Sequence, residues 1–312
     1  MLSSVWITGA HGFIGRHLAR RLAADGARVV GLGHGAWPVT EAEAWGVAHW
    51  LNGDIRASNL QSLLKAEGSP DQIYHLAGGS AVGAAVLNPL EDFHRSVTMT
   101  AELLEWMRLE SPETRLIAVS SAAVYGAGHL GPIGEGRVGV PFSPYGRHKL
   151  MMEQACRGYA ADYGMAVVVA RLFSVYGVGL KKQLLWDLSA KLAAGGAPVL
   201  GGSGDELRDW TEVRDVVRAL ELVAQTATPE APTINLGTGR GTSVRDVARL
   251  AIDAWPTRAS PVFNGQARTG DPFSLVADNT ALSALGFEWR VPVDQGIADY
   301  MRWSRGQLEA AE

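Results

Sequence analysis

A single cysteine, Cys156, stands in 312 residues, so the chain forms neither an internal disulfide nor a cysteine-built zinc site. No apolar run approaches the roughly 20 residues needed to cross a bilayer. No charged leader with an apolar stretch precedes the first strand-like run, which points to a cytoplasmic location. Neither sign of charge dominates: 28 Lys and Arg stand against 32 Asp and Glu, a formal net charge of -4. That balance gives no general basic field for nucleic acid. The expectation from these absences is a protein without membrane, nucleic-acid or metal partners. What the chain does have is apolar side chains, 47% of the total, enough for a substantial core in one large domain or two unequal ones.

Short apolar runs alternate with helical stretches from the N-terminus. Val5 to Thr8, Arg28 to Leu32, Ala48 to Leu51, Gln72 to Leu76, 115 to 121 and Ala166 to Leu172 read as strands. Helices are expected from Gly12 to Asp25, around Asn59 to Ala66, from Pro89 to about Ser111, and through Tyr145 to Tyr163. Strands joined by helical crossovers make a parallel sheet covered on both faces. The fold class is therefore α/β, a doubly wound parallel sheet of Rossmann type. Beyond residue 173 the rhythm loosens into glycine-rich turns such as "GGSGDE" and "GTGRGTS". We read residues 1–172 as a dinucleotide-binding domain with a returning segment near 208–238, and 173–312 as a smaller C-terminal α/β substrate-binding subdomain.

"VWITGAHGFIGRHLARRL" sets Gly9, Gly12 and Gly15 at the first strand-to-helix junction. Such glycines allow a tight turn, close approach of backbone to a pyrophosphate, and close packing of helix on strand. The cofactor expected is a nicotinamide dinucleotide. An NAD site usually carries a carboxylate at the end of the second strand, for the ribose hydroxyls. Here that stretch reads "VVGLGHG", with Gly33 and His34. Without the carboxylate nothing repels a 2'-phosphate, and His34 or Arg16 could meet one. The sequence thus favours NADP over NAD. Asp54, in "NGDI", is either a contact to the adenine amino group or a helix N-cap.

"SPYGRHKLMMEQ" places Tyr145 and Lys149 at i and i+4, on one helix face within side-chain reach. A tyrosine with pKa about 10 is a poor base at neutral pH, and a neighbouring ammonium together with an oxidised nicotinamide favours its phenolate. Such a phenolate can take or return a proton at a sugar hydroxyl during hydride transfer. Ser121, ending "VSSAAVYG" upstream, could set a hydroxyl beside the same oxygen.

With "TGAHGFIG", "YHLAG", "SSAAVYG", "SPYGRHK", "ARLFSVYG", "LRDWTEVRDV", "NLGTG" and "RTGDPFSLVADN", the chain resembles, over nearly its whole length, the extended short-chain dehydrogenases/reductases of the NAD-dependent epimerase/dehydratase family. Most members act on nucleotide-diphosphate sugars. The resemblance implies a catalytic triad of Ser121, Tyr145 and Lys149. It implies cofactor contacts from Gly9, Gly12, Phe13, Ile14, Gly15, Gly33, His34, Asp54, Ile55, Leu76, Ala77 and Gly78, together with Tyr145 and Lys149. It further implies sugar-nucleotide contacts from Ser80, Ser121, Ser174, Arg208, Arg268 and Asp271, and a homodimer. Ser96 and Ser174 stand where the family usually has Asn, and Val178 where Pro is common.

The family's 4,6-dehydratases usually carry a Thr-Asp-Glu type run where this chain has Ser121-Ala122-Ala123, so a dehydratase is disfavoured. Cys156 reads as a packed thiol. Two enzyme readings remain: an NADPH-dependent 4-ketoreductase of a keto-deoxy sugar, slightly ahead through the NADP preference, and a 4-epimerase with retained coenzyme. A non-catalytic nucleotide-sensing relative is the alternative of another class.

Overall fold

Six runs of apolar and β-branched residues form parallel strands in a computed structural model describing residues 3–137, 139–195, 197–257, 259–266 and 272–310. They are β1 (Ser4–Thr8), β2 (Arg28–Gly33), β3 (Val47–Asn52), β4 (Gln72–His75), β5 (Arg115–Ser121) and β6 (Val167–Leu172). With the strand Thr233–Leu236 beside β6 they make a seven-stranded sheet in the order β3, β2, β1, β4, β5, β6, Thr233–Leu236. Every pairing in it is parallel. The order reverses direction between β1 and β4, the crevice where open α/β sheets bind ligands.

The connecting helices are α1 (Phe13–Ala24), α2 (Val39–Ala44), α3 (Ala57–Glu67), α4 (Val82–Leu87), α5 (Pro89–Phe93), α6 (Met99–Glu110) and α7 (Pro144–Tyr163). Alternation along β1 divides the core between two faces. Val5 and Ile7 pack with Leu18 and Leu22 of α1 and with Val216 and Leu220 of the helix Val213–Val223. Trp6 packs on the other face with Leu60 of α3, Leu103 of α6 and Met152 and Cys156 of α7. A smaller sheet centres on the strand Leu207–Glu212, flanked by Ser174–Tyr176, Gly241–Ser243 and Ser274–Leu275. No described helix is long and apolar enough to cross a membrane.

Strand positions follow the sequence expectation to within a residue or two. The helix expected from Pro89 to Ser111 differs: a π-helical turn, His94–Thr98, separates α5 from α6. A π turn carries one extra residue, and such turns are frequent at functional sites. Here it aims Ser96 Oγ at the backbone N–H of Gly79, 3.0 Å away, on the loop after β4. The short helices α2 and α4 were not legible as helices, because six residues give too little periodicity.

Buried charge ties α7 to the sheet. Arg171 on β6, 0% exposed, donates from Nε and Nη2 to the two oxygens of Glu153 at 2.8 and 2.7 Å. Ser120 Oγ and Arg157 also donate to that carboxylate. The Arg171 guanidinium and these neighbours hold the Glu153 carboxyl below its ordinary range although burial opposes them. Arg171→Met leaves a carboxylate in the core with one arginine fewer. A loss of about 3 kcal/mol is expected from breaking such a pair, read as a lower urea midpoint with unchanged slope.

Candidate active site

The first turn after β1 is shaped by contacts no side chain would allow. Gly9 has φ 76°, and a Cβ on Gly15 would stand 2.2 Å from the Gly9 carbonyl oxygen and 2.8 Å from Ala10 Cα. Glycine at 15 therefore lets α1 begin directly against the turn. The Gly12 N–H donates to the Gly9 carbonyl at 2.9 Å. Gly12 caps α1 with no side-chain cap bond, so the first-turn N–H groups face the cleft, an anion site by charge and geometry. The residues present fit a dinucleotide pyrophosphate.

From this turn a cleft of about 1110 Å³ runs along the carboxyl edge of the sheet. Gly9, Gly12, Phe13, Ile14 and Gly15 line one end with Gly33 and His34. Leu76, Ala77 and Gly78 line its middle, beside Ser121, Tyr145 and Lys149. Ser80, Ser174 and Arg208 line the far side. Arg208 Nη1 donates to the Leu207 carbonyl at 2.8 Å. Arg268 and Asp271 lie outside the described residues.

Asp54 and Ile55 are placed differently from the other expected cofactor residues. Ile55 is buried among core residues under the sheet. Asp54 pairs with His34, Oδ1 to Nε2 at 2.9 Å, and with Arg56 at 3.4 Å. Its N-cap reading fails, since α3 is capped at Arg56 without a side-chain bond.

The grounds for NADP change at this end of the cleft. Gly33 makes room for an indole: a Cβ there would lie 3.1 Å from the Trp50 ring and 3.4 Å from Gly9 N. Arg16, invoked for a 2'-phosphate, is held with its guanidinium 5.3 Å from the Trp45 ring centre and 5.8 Å from that of Trp37. Its Nη2 donates to the His11 carbonyl at 2.9 Å. Burial pushes its pKa down, against the pull of Glu41. His34 already faces the Asp54 carboxylate. Both side chains have partners within the protein, although Arg16 Nε has none. Sequence reading missed this shelf of His11, Trp37, Trp45 and Trp50, because its members come from three separate segments.

Ser143 caps α7 through Gly146 N–H, with Pro144 in the first turn, and this starts the helix that carries Tyr145 and Lys149. Tyr145 and Ser121 face each other across the cleft. Burial pushes the Tyr145 phenol up; the Ser121 hydroxyl works against this and the Asp92 charge adds to it. Lys149 Nζ donates to the Val119 carbonyl at 3.1 Å. Burial lowers its pKa to about 8, while Asp92, Glu153 and Cys156 pull the other way. Cys156 is pushed up to about 12 by burial and stays a packed thiol. Among the described residues no cluster of three or more His, Cys, Asp or Glu is arranged to hold a metal ion.

Sequence reading also missed Lys182, which lines the cleft and donates to Ser80 Oγ at 3.0 Å. No motif signals it. It is the N-cap of the helix Gln183–Ala193, next to Gln183, a non-glycine residue at φ 67°.

The model of the NAD dependent epimerase/dehydratase family matches residues 5–237. A UDP-glucose 4-epimerase of Rhizobium meliloti strain 1021 is 30% identical over 310 residues, covering 92% of each chain. The solved structure of MoeE5 in complex with UDP-glucuronic acid and NAD is 32% identical, covers 98% of this chain and 100% of its own, and superposes with a TM-score of 0.86. A UDP-glucose 4-epimerase from Thermotoga maritima, solved with UDP-glucose, is 25% identical over 98% of this chain and 99% of its own, with a TM-score of 0.89.

The glycine turn gives a direct test of the cofactor end. Gly15→Ala must move backbone at Gly9 and Ala10, and NAD affinity is expected to fall at least tenfold, about 1.4 kcal/mol. Quenching of tryptophan fluorescence during NAD titration reads it; an unchanged Kd would show that the turn does not hold the cofactor.

Proposed function

The chain belongs to the NAD dependent epimerase/dehydratase family, and we propose that it is a UDP-hexose 4-epimerase working with NAD. The observation that carries this reading is the meeting of Ser121, Tyr145 and Lys149 in one cleft that begins at the glycine turn. The similar solved structures, which carry UDP-sugars and NAD, support the substrate and cofactor classes. The sequence preference for an NADPH-dependent ketoreductase is withdrawn. It rested on Gly33 and Arg16, whose surroundings give no reason to prefer NADP, and the curated relatives are 4-epimerases. Ala122 and Ala123 line the cleft without a carboxyl group, which keeps a dehydratase disfavoured.

In this reading Tyr145, as the phenolate it becomes with cofactor bound, takes the proton of the C4 hydroxyl and later returns it to the C4 oxygen. Bound NAD supplies the chemistry of accepting the C4 hydride and giving it back to the opposite face. Ser121 donates to the C4 oxygen and fixes the phenol beside it. Lys149 holds a positive charge near the developing phenolate and offers N–H groups to the nicotinamide ribose. The wall formed by Ser80, Ser174 and Arg208 belongs to the substrate half, residues 173–312 with part of the loop after β4. Homodimer formation and the contacts of Arg268 and Asp271 remain part of this proposal.

A second substrate reading comes from Lys182. Burial lowers its pKa, and among the described residues no carboxylate pairs with it. An ammonium with no carboxylate partner in the cleft suits a uronate better than a neutral hexose. MoeE5 has been solved with UDP-glucuronic acid and also with UDP-glucose. Supplying the 4-epimeric pairs of both sugars, with chromatography of products and absorbance at the reduced-nicotinamide band, separates the readings. Epimerisation gives sugar interconversion without net coenzyme change; stoichiometric coenzyme consumption identifies a reductase, and bound NAD without turnover a sensing protein.

Tyr145→Phe is expected to reduce turnover by about 10²-fold or more with NAD binding intact. The alkaline limb of kcat/KM is expected near pH 8, where Lys149 loses its proton. Activity is present below that limb and lost above it. Lys182→Met is expected to weaken a UDP-uronate by about tenfold or more, the loss of one charge-assisted hydrogen bond, and to leave UDP-glucose nearly unchanged. Equal losses for both sugars would remove the uronate reading.

A further inference from the structure

Asp92 is a carboxylate shut away beside the cleft. It sits on α5 at 6% exposure, and α5 packs against α7. Its Oδ2 accepts from Nδ1 of His148 at 2.6 Å, and His148 stands on α7 between Tyr145 and Lys149. Among the described residues no arginine or lysine pairs with it. The other oxygen presses on the loop after β4: a Cβ on Gly79 would lie 1.8 Å from Asp92 Oδ1 and 3.2 Å from Ser96 Oγ. On the neighbouring Gly78, a Cβ would lie 3.3 Å from Lys149 Nζ and 3.6 Å from the same Ser96 oxygen. Gly78 and Gly79 thus form a thin wall of the cleft with Lys149 against one residue and Asp92 against the next.

We propose that Asp92, clamped by His148, is a positioning residue for the Tyr145–Lys149 pair: its carboxylate braces the Gly78–Gly79 wall and sets the charge under which that pair exchanges protons. The proposal rests on the reading of Tyr145 and Lys149 as the proton-transfer pair. The other groups facing Lys149 are Glu153, Cys156 and His75. Glu153 is compensated by Arg171 and Arg157. Cys156 is a neutral thiol, and His75 is neutral with its pKa near 3. Near Asp92 on its own segment, Arg95 is paired with Glu91, and His94 approaches Thr98. That leaves Asp92 as the carboxylate near Lys149 without an arginine or lysine partner. Its field favours the ammonium of Lys149 and opposes a premature phenolate at Tyr145. Both effects hold the pair's proton in place until substrate and cofactor arrive.

The test reads Lys149 directly and needs no sugar. Trace labelling by acetic anhydride across pH, with the Lys149 peptide quantified by mass spectrometry, gives the midpoint at which its amine becomes reactive. Removing a nearby negative charge lowers the pKa of every neighbour. The Asp92→Asn midpoint is therefore expected at least about half a pH unit below that of the unmodified protein. His148→Asn keeps a donor to Asp92 and its charge, and is expected to leave the midpoint in place. His148→Lys sets a permanent ammonium beside Asp92 and is expected to lower it, which keeps the test open should Asp92→Asn fold poorly. A folded Asp92→Asn or His148→Lys with the unmodified midpoint overturns the proposal, as does an equal fall in His148→Asn, which would mark a packing effect. Absence of any epimerase turnover would sink the proposed function and leave this titration readable.

Discussion

A chain of hydrogen bonds through His75 fixes the edge on which everything else is built. Thr100 Oγ1 donates to the Ser96 carbonyl at 2.7 Å, so it accepts from His75 Nε2 at 2.8 Å. That assigns the ring proton to Nε2 and leaves Nδ1 to accept from Thr8 Oγ1 at 2.7 Å. Thr8 Oγ1 in turn accepts the Ala77 N–H at 3.3 Å. Burial pushes the His75 pKa down to about 3, with the Lys149 charge adding to it, so the imidazole stays neutral. A neutral ring with both nitrogens satisfied can sit at full burial without the penalty of an unpaired charge. It links the ends of β1 and β4 to the π turn before α6, three elements that meet where the strand order reverses.

That linkage explains how two close approaches coexist. Gly9 packs on the Ala77 backbone, with a Cβ there only 2.9 Å from Ala77 N, while Gly79 leans on Ser96 and Asp92 from the other side. The loop after β4 is thus held from both faces within three residues. Parallel pairing of β4 with β5 sets Ser121 further along the same edge, and α7 rises from the cap at Ser143 to face it. Tyr145 and Lys149 share one face of α7, and Ser121 meets them because the end of β5 and the start of α7 converge on that edge.

What was legible in the chain follows from range. The strand-to-helix glycines and the Tyr145/Lys149 spacing are local patterns, and local patterns carry their geometry with them. The parallel, doubly wound sheet followed from alternating elements for the same reason. Asp92 and His148 are 56 positions apart; nothing in "NPLEDFHRS" marks its aspartate as buried. The π turn escaped because its residues are ordinary helix formers, and the extra residue shows only when Ser96 finds Gly79. The burial of Tyr145 was likewise not legible; it pushes the phenol up in the protein without its cofactor.

The coenzyme end shows how one substitution in type reorders its neighbours. With no carboxylate at Gly33, the Trp50 ring moves in over the glycine, and its Nε1 donates to the Gly35 carbonyl at 3.2 Å. His11 then stacks on Trp37 at 4.6 Å between ring centres and meets Trp50 edge-on. Arg16 is drawn onto the Trp37 and Trp45 faces, where a guanidinium is stabilised by ring quadrupoles and is only weakly hydrated. His34 is occupied by Asp54. Arg16 Nη2 and His34 thus have partners within the protein, and the start of α1 offers a backbone anion site. An N-terminal helix dipole and free N–H groups suit a pyrophosphate, which every dinucleotide has, and carry no preference for a phosphate on the ribose. A glycine in place of a carboxylate therefore does not by itself turn an NAD site into an NADP site; what fills the space decides it.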